Sequence, residues 1–254
     1  MISTRLKHLL FIFALILPLF SFAKPIDDII FMSENYPPYN FKKDNKVQGI
    51  SVDILVLMLK KLKSKQSRKD IRILPWARGY HYLQKKPNTA LFSTTRTQQR
   101  EKLFKWVGPI LSTRSALLAK KSLNIKIKSI DDIKQYKIGA VRDDIGEQIL
   151  LNNGVPSTQI ENVGGIDALY KLIKMLHRDR FEILSYEKNV GEREIIKMGF
   201  DINQYEVVYQ FKKSSLYFAF HKDTSDDLIS EFQNTLDEIK EDGQYQQIVN
   251  KYFK

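Results

Sequence analysis

Two arginines set among small hydroxyl residues, in Phe92-Ser93-Thr94-Thr95-Arg96-Thr97-Gln98-Gln99-Arg100-Glu101, are the side chains of this sequence best suited to hold an anion. A guanidinium presents a planar fork of donors that matches the two oxygens of a carboxylate, and neighbouring hydroxyls can complete the oxygen cage. The stretch follows the apolar pair Ala90-Leu91 and leaves through Phe104-Lys105-Trp106-Val107-Gly108-Pro109. Other chemistries are poorly supplied. The chain has no cysteine, which excludes disulfides and thiolate metal ligands. Its histidines, at 8, 81, 177 and 221, show no metal-ligand spacing. There is no His-Glu-x-x-His, no Gly-x-Ser-x-Gly and no phosphate-cradling glycine loop. A carboxylate acid or base needs only Glu182 or Asp144 in a dry cleft, so an enzyme stays open as a reading. We expect no catalytic residue, no metal and no cofactor.

The elements that must position the arginines alternate. Ile29-Ile30-Phe31-Met32 reads as a buried strand, ended by Glu34-Asn35-Tyr36-Pro37-Pro38-Tyr39, where two prolines forbid helix. Gly49 then precedes a helix over residues 51–62, with Val52, Leu55, Leu59 and Leu62 at helical spacing. Residues 71–76 read as a second strand stopped at Pro75, residues 77–85 as a helix, and residues 89–92 as a third strand. This β-α-β-α-β order predicts a largely parallel sheet with ligands at its carboxyl edge. A second unit begins near Ser129, with a capped turn over 129–133 and a strand over 137–141. Asp144 opens a helix closed by Asn152-Asn153-Gly154. A helix over 166–176 and a strand over 181–184 follow. Leu216-Tyr217-Phe218-Ala219-Phe220 is apolar throughout, as a strand covered on both faces requires. Helices over 225–241 and around Tyr245, Ile248 and Tyr252 finish the chain.

The N-terminus reads as a secretory leader. Arg5, Lys7 and His8 precede an apolar run over residues 9–20, and Ser21-Phe22-Ala23 offers small residues for cleavage before Lys24. The run is short of the ~20 apolar residues a membrane span needs. We therefore expect residues 1–23 to be removed and the mature chain to be soluble in a Gram-negative periplasm, with no lipid anchor. What remains is long enough for one large domain or two lobes. The formal charge of +12 comes from scattered lysines among acids and apolar residues, not from one tract. That pattern, together with export, speaks against nucleic acid as a partner.

In order and spacing these motifs resemble the periplasmic solute-binding proteins of the polar-amino-acid type, family 3. The resemblance rests on Tyr36-Pro37-Pro38-Tyr39, on Gly49-Ile50-Ser51-Val52-Asp53 and on Thr97-Gln98-Gln99-Arg100 with Trp106-Val107-Gly108-Pro109. The Gly139-Ala140-Val141 strand and the closing Asp242-Gly243 through Ile248 to Lys251-Tyr252-Phe253 complete it. It implies an α/β, type II periplasmic-binding-protein fold of two lobes, each a mixed, mostly parallel sheet flanked by helices. The implied first lobe is 24–112 plus 217–254 and the second 113–216, with crossings near 112–115 and 214–218. It further implies a monomer that binds a small carboxylate-bearing solute, an amino acid or relative, and delivers it to an ABC-type membrane permease. By the same resemblance Arg100 clamps the ligand carboxylate, Ser93 and Thr95 bind the same ligand end, and Tyr36 and Trp76 stack on the ligand body. Glu182 falls where many members have an aspartate for the ligand ammonium. Asp144 falls near a loop that is usually Gly-Thr or Gly-Ser, but here reads Arg142-Asp143-Asp144. Arg78 and Arg96 are additional to the minimum carboxylate site. Two other readings stay open: an enzyme on the same scaffold, similar to the cyclohexadienyl dehydratases, and a binder that signals to a receptor.

Overall fold

Residues 25–252 are described by the structure, a computed structural model; the leader over 1–23, the start at Lys24 and Phe253 of the closing motif lie outside the described residues. The chain begins with β1 (Ile30–Ser33), a hairpin of β2 (Phe41–Lys43) and β3 (Lys46–Gln48), and helix α1 (Ile50–Lys61). Next come β4 (Arg72–Ile73), α2 (Trp76–Lys85), β5 (Thr89–Thr95) and β6 (Phe104–Thr113). The central stretch runs through β7 (Ser115–Lys120), β8 (Ile138–Val141), α3 (Ile145–Asn152), β9 (Ile160–Val163) and α4 (Ala168–His177). It continues with β10 (Ile183–Glu187), α5 (Lys188–Lys197) and β11 (Tyr205–Gln210), and the chain closes on β12 (Ser214–His221), α6 (Asp226–Glu241) and α7 (Gln244–Tyr252).

Two five-stranded sheets result, ordered β4-β1-β5-β12-β6 and β11-β7-β10-β8-β9. Each is mixed and mostly parallel. In the first only β12 opposes the other strands, and in the second only β7 does. The chain leaves the first sheet for the second through Arg114 alone, between β6 and β7, and returns over residues 211–213. Each sheet with its helices makes one lobe, and the carboxyl ends of β1, β5, β8 and β10 lead into the space between them.

The apolar pattern explains the packing. Val52, Leu55 and Leu59 of α1 are fully covered, each side chain contributing about 1.5–3 kcal/mol. Phe31, Phe220 and Phe232 meet with ring centroids 5.1–6.3 Å apart and join β1, β12 and α6. Entry to α1 requires Gly49: its φ of 129° suits glycine, and a Cβ there would lie 2.4 Å from the Tyr39 carbonyl oxygen. The C-terminal helix is fastened at the same place. Tyr252 donates to Asp53 Oδ2 (2.9 Å) and accepts from the Gly49 N–H (3.1 Å), while Lys251 and Arg68 pair with the Asp53 carboxylate at 2.9 and 2.7 Å. The strand expected over 71–76 is shorter than its composition suggests. Pro75, at φ −54°, already sits at the N-cap of α2, so Trp76 is the first helical residue.

Candidate functional site

Arg100 reaches the inter-lobe space by way of a bulge and a turn. Strand β5 is buried along its whole length. Its pairing with β12 slips at Ser93, which adopts a left-handed φ of 58°. Beyond Thr95 the chain folds back in one turn, closed by the Arg100 N–H on the Thr97 carbonyl (3.1 Å) and hydroxyl (3.3 Å). The Thr-x-x-Arg spacing is that turn. It returns the guanidinium to the strand end, where Nη1 donates to the Thr95 carbonyl at 3.2 Å. The aromatic rings of Trp76 and Tyr80 lie 5.3 and 4.9 Å from it, and their own planes are stacked, 19° apart. Arg100 is only 1% exposed, and its Nε has no partner. Burial pulls its pKa below the usual arginine value, opposed by Tyr80, Asp144 and Glu34.

The facing wall comes from the turn between β8 and α3. Asp143, at a left-handed φ of 60°, turns its carbonyl toward the first lobe. That oxygen accepts from Trp76 Nε1 (2.8 Å) and Arg100 Nη2 (3.2 Å), so two first-lobe donors meet on one second-lobe acceptor. Helix α3 lies close against β10 because residue 146 is glycine; a Cβ there would fall 2.5 Å from the Ser185 carbonyl oxygen. Asp144 occupies the N-cap, yet its side chain closes no cap hydrogen bond, and Oδ2 is buried without a partner. Burial pushes its carboxyl up to about 6, against the pull of Arg100 and of the Ile145 and Gly146 N–H groups. A second carboxyl belongs to this wall. Glu34, just after β1, is raised well above the ordinary value by burial and then by the charge of Asp144, with Arg100 opposing.

Aromatic rings line the remainder. Tyr36 meets Tyr39 at 5.2 Å and, across the lobes, Tyr186 edge-on at 5.8 Å. Beside them Glu187 is buried at the end of β10, where it caps α5 by accepting from the Val190 N–H at 2.8 Å. Burial raises its carboxyl as well. The gap bounded by Glu34, Val141, Tyr186 and Glu194 is narrow, about 40 Å³.

Of the residues expected from sequence, Arg100, Thr95, Trp76, Tyr36 and Asp144 come together between the lobes. Ser93 contributes from beneath: its hydroxyl donates to Ser51 Oγ at 2.9 Å, tying β5 to the start of α1. Glu182 is not part of the group. It precedes β10, and its carboxylate accepts the Lys137 N–H (2.8 Å) at the start of β8. Because β8 and β10 are parallel, their amino ends point away from the carboxyl edge, so Glu182 lies at the wrong end of its strand. Glu187, at the other end, is the acid that β10 brings to the cleft. Arg96 faces solvent, paired with Glu101 through two bonds of 2.6 and 2.7 Å and lying over Trp106 and Tyr217. Arg78 is exposed on Tyr82, and Arg142 is exposed on Asn162. Sequence reasoning missed Glu34, Tyr80, Tyr186 and Glu187. Tyr80 had a usable signal, since it stands four residues after Trp76 on the same helical face. Among the described residues no His, Asp and Glu group is arranged to hold a metal ion, and no helix is long and apolar enough to cross a membrane.

A buried arginine at the carboxyl edge of one lobe, facing a helix start of another, is the arrangement of a two-lobed ligand-binding protein. The chain belongs to the bacterial extracellular solute-binding proteins, family 3, whose model matches residues 29–254. Over 225 residues it is 24% identical to the L-cystine-binding protein TcyA of Bacillus subtilis (strain 168), covering 86% of this chain and 78% of that protein. Its structure is similar to the arginine-, lysine-, histidine-binding protein ArtJ of Geobacillus stearothermophilus, with a TM-score of 0.75 and 16% identity over 89% of this chain and 94% of that one. It also resembles a histidine kinase sensor domain with similarity to periplasmic binding proteins, with a TM-score of 0.76 and 16% identity over 88% and 95% of the two chains. The fold is therefore the two-lobed periplasmic-binding-protein fold, joined by two crossings.

Proposed function

We propose that this chain binds a small carboxylate-bearing solute, an amino acid or a relative, between its lobes and delivers it to an ABC-type permease. The observation that carries this reading is Arg100: fully buried, stacked on two rings and left with an unpartnered Nε facing the second lobe. A guanidinium so placed is held ready for a planar anion. Thr95 and Tyr36 on the first lobe and Asp144 on the second would complete the contacts, with Trp76 as the stacking wall. Closure follows from contact with both lobes, because only differential affinity shifts an open-closed equilibrium. We assign the first lobe to 24–112 plus 217–254 and the second to 113–216, a monomer exported to the periplasm after loss of residues 1–23. Membership of the family supports delivery to a permease.

The test is a thermal-shift panel of amino acids, opines, dipeptides and dicarboxylates on the chain starting at Lys24. A ligand at 100 times its dissociation constant adds about 2.7 kcal/mol, a readily measured shift. Silence across the panel would refute the reading. Asp144 and Glu34 are the groups an enzyme on this scaffold would use for proton transfer. Recovery of the hit compound chemically unchanged after long incubation is the expected result, and conversion would favour the enzyme.

A further inference from the structure

We propose that the cleft selects ligands of net positive charge, with Asp144 setting the choice; this rests on the amino-acid-binding reading above. The charge count comes first. One guanidinium, Arg100, faces two carboxyls, Asp144 and Glu34, brought there by different lobes. Arg100 does not spend its donors on either acid: its hydrogen-bond partners are the Thr95 and Asp143 carbonyls. Unpartnered atoms of both signs remain, since Arg100 Nε is a buried donor and Asp144 Oδ2 a buried acceptor. A buried polar atom left unpaired is costly, so the pair specifies an occupant with both an acceptor and a cationic donor. An α-amino acid with an uncharged side chain supplies one of each and leaves a surplus carboxylate. A basic amino acid adds a second cation, and the site is then electrically balanced. The side chain at 144 also fixes the sign of the second-lobe wall. A glycine or hydroxyl residue at this helix start would offer donors to an anion, whereas Asp144 offers an acceptor 5% exposed. Its charged and titratable surroundings are Arg100 and Glu34 from the first lobe, Glu147 on α3, and the phenols Tyr36 and Tyr186.

Calorimetry at pH 7.5 with L-lysine, L-ornithine, L-arginine, L-glutamine, L-norleucine, L-glutamate and putrescine tests this. The three basic amino acids should bind at least about 10-fold tighter than the neutral ones, as one charge-assisted hydrogen bond allows. In Asp144→Asn their affinity should fall about 10- to 100-fold and the gap to L-glutamine should close. For the wild type, affinity for L-lysine should decline as pH drops through about 6, where Asp144 takes up its proton. The thermal transition of the variant alone, measured alongside, verifies folding. Neutral or acidic amino acids binding as tightly as basic ones overturns the proposal while leaving the amino-acid reading intact. An unchanged basic-to-neutral ratio in Asp144→Asn does the same. Putrescine binding without any amino acid would instead sink the carboxylate reading and keep the charge selection. No response to any of the seven refutes both.

Discussion

Asp144→Asn should make the protein more stable at neutral pH, the reverse of what losing a charge at a helix start normally does. The carboxyl sits at about 6 in the folded chain against an ordinary value of 3.8. A group whose folded pKa is raised binds its proton more tightly folded than unfolded. Its contribution to stability is therefore fully present below about 3.8 and is lost as pH climbs through about 6. At about 1.4 kcal/mol per pH unit, the gap makes the ionised form costly by on the order of 2–3 kcal/mol. Asparagine keeps the size and the N-cap preference but never ionises. Urea unfolding of both proteins without added ligand, from pH 4.5 to 8, isolates this group from acids whose folded pKa is lowered, such as Asp53 and Asp132. The variant should gain on the order of 2 kcal/mol at pH 7.5, with a raised midpoint and an unchanged slope, and the difference should shrink toward zero near pH 4.5. A variant that is less stable at pH 7.5, or a difference that ignores pH, would refute burial as the cause. In that case Arg100 and the α3 N–H groups would be holding the carboxylate ionised.

Three further outcomes are expected. Arg100→Lys keeps the charge but loses the fork, so affinity for the identified ligand should drop on the order of 10- to 150-fold by calorimetry, while Arg96→Lys, on the solvent side, should leave it nearly unchanged. Trp76 donates to the Asp143 carbonyl across the lobes, whereas Trp106 is half-buried with its Nε1 on the Glu101 carbonyl; ligand-induced fluorescence change should vanish in Trp76→Phe and survive in Trp106→Phe. Asp53→Asn removes the acceptor shared by Arg68, Lys251 and Tyr252 and should lower unfolding free energy by about 1–3 kcal/mol, with ligand affinity preserved because the cluster lies away from the cleft.

The elements with strong periodicity were legible in the chain, among them β1, α1, α2, β12 and α6, because one face of each is apolar at its own period. Thr97 and Arg100 were legible too, since a turn is a local matter. What failed was everything set by the second lobe. Glu182 and Glu187 are both acids beside one apolar run, and only the parallel pairing of β10 with β8 decides which end faces the cleft. Glu34 looks like a loop acid until Asp144 is brought opposite it. Strands β6 and β7 escaped notice because a single residue, Arg114, separates them, and that residue is a change of sheet and not a hairpin turn. Trp76 was assigned to a strand because Ile71, Ile73 and Leu74 precede it, yet Pro75 had already preset the helical φ.

The Asp143 carbonyl has a bearing on timing as well as on affinity. It already receives the indole of Trp76 and one prong of Arg100, so an arriving carboxylate does not gain a fresh hydrogen bond at that prong; it trades places with a backbone oxygen. The net gain at Arg100 is the difference between a charged and a neutral acceptor. The exchange also frees the turn that carries Asp143, with α3 behind it, to shift relative to the first lobe. Solute capture then resembles the swapping of one clasp for another, and its rate is set by how quickly the inner clasp lets go.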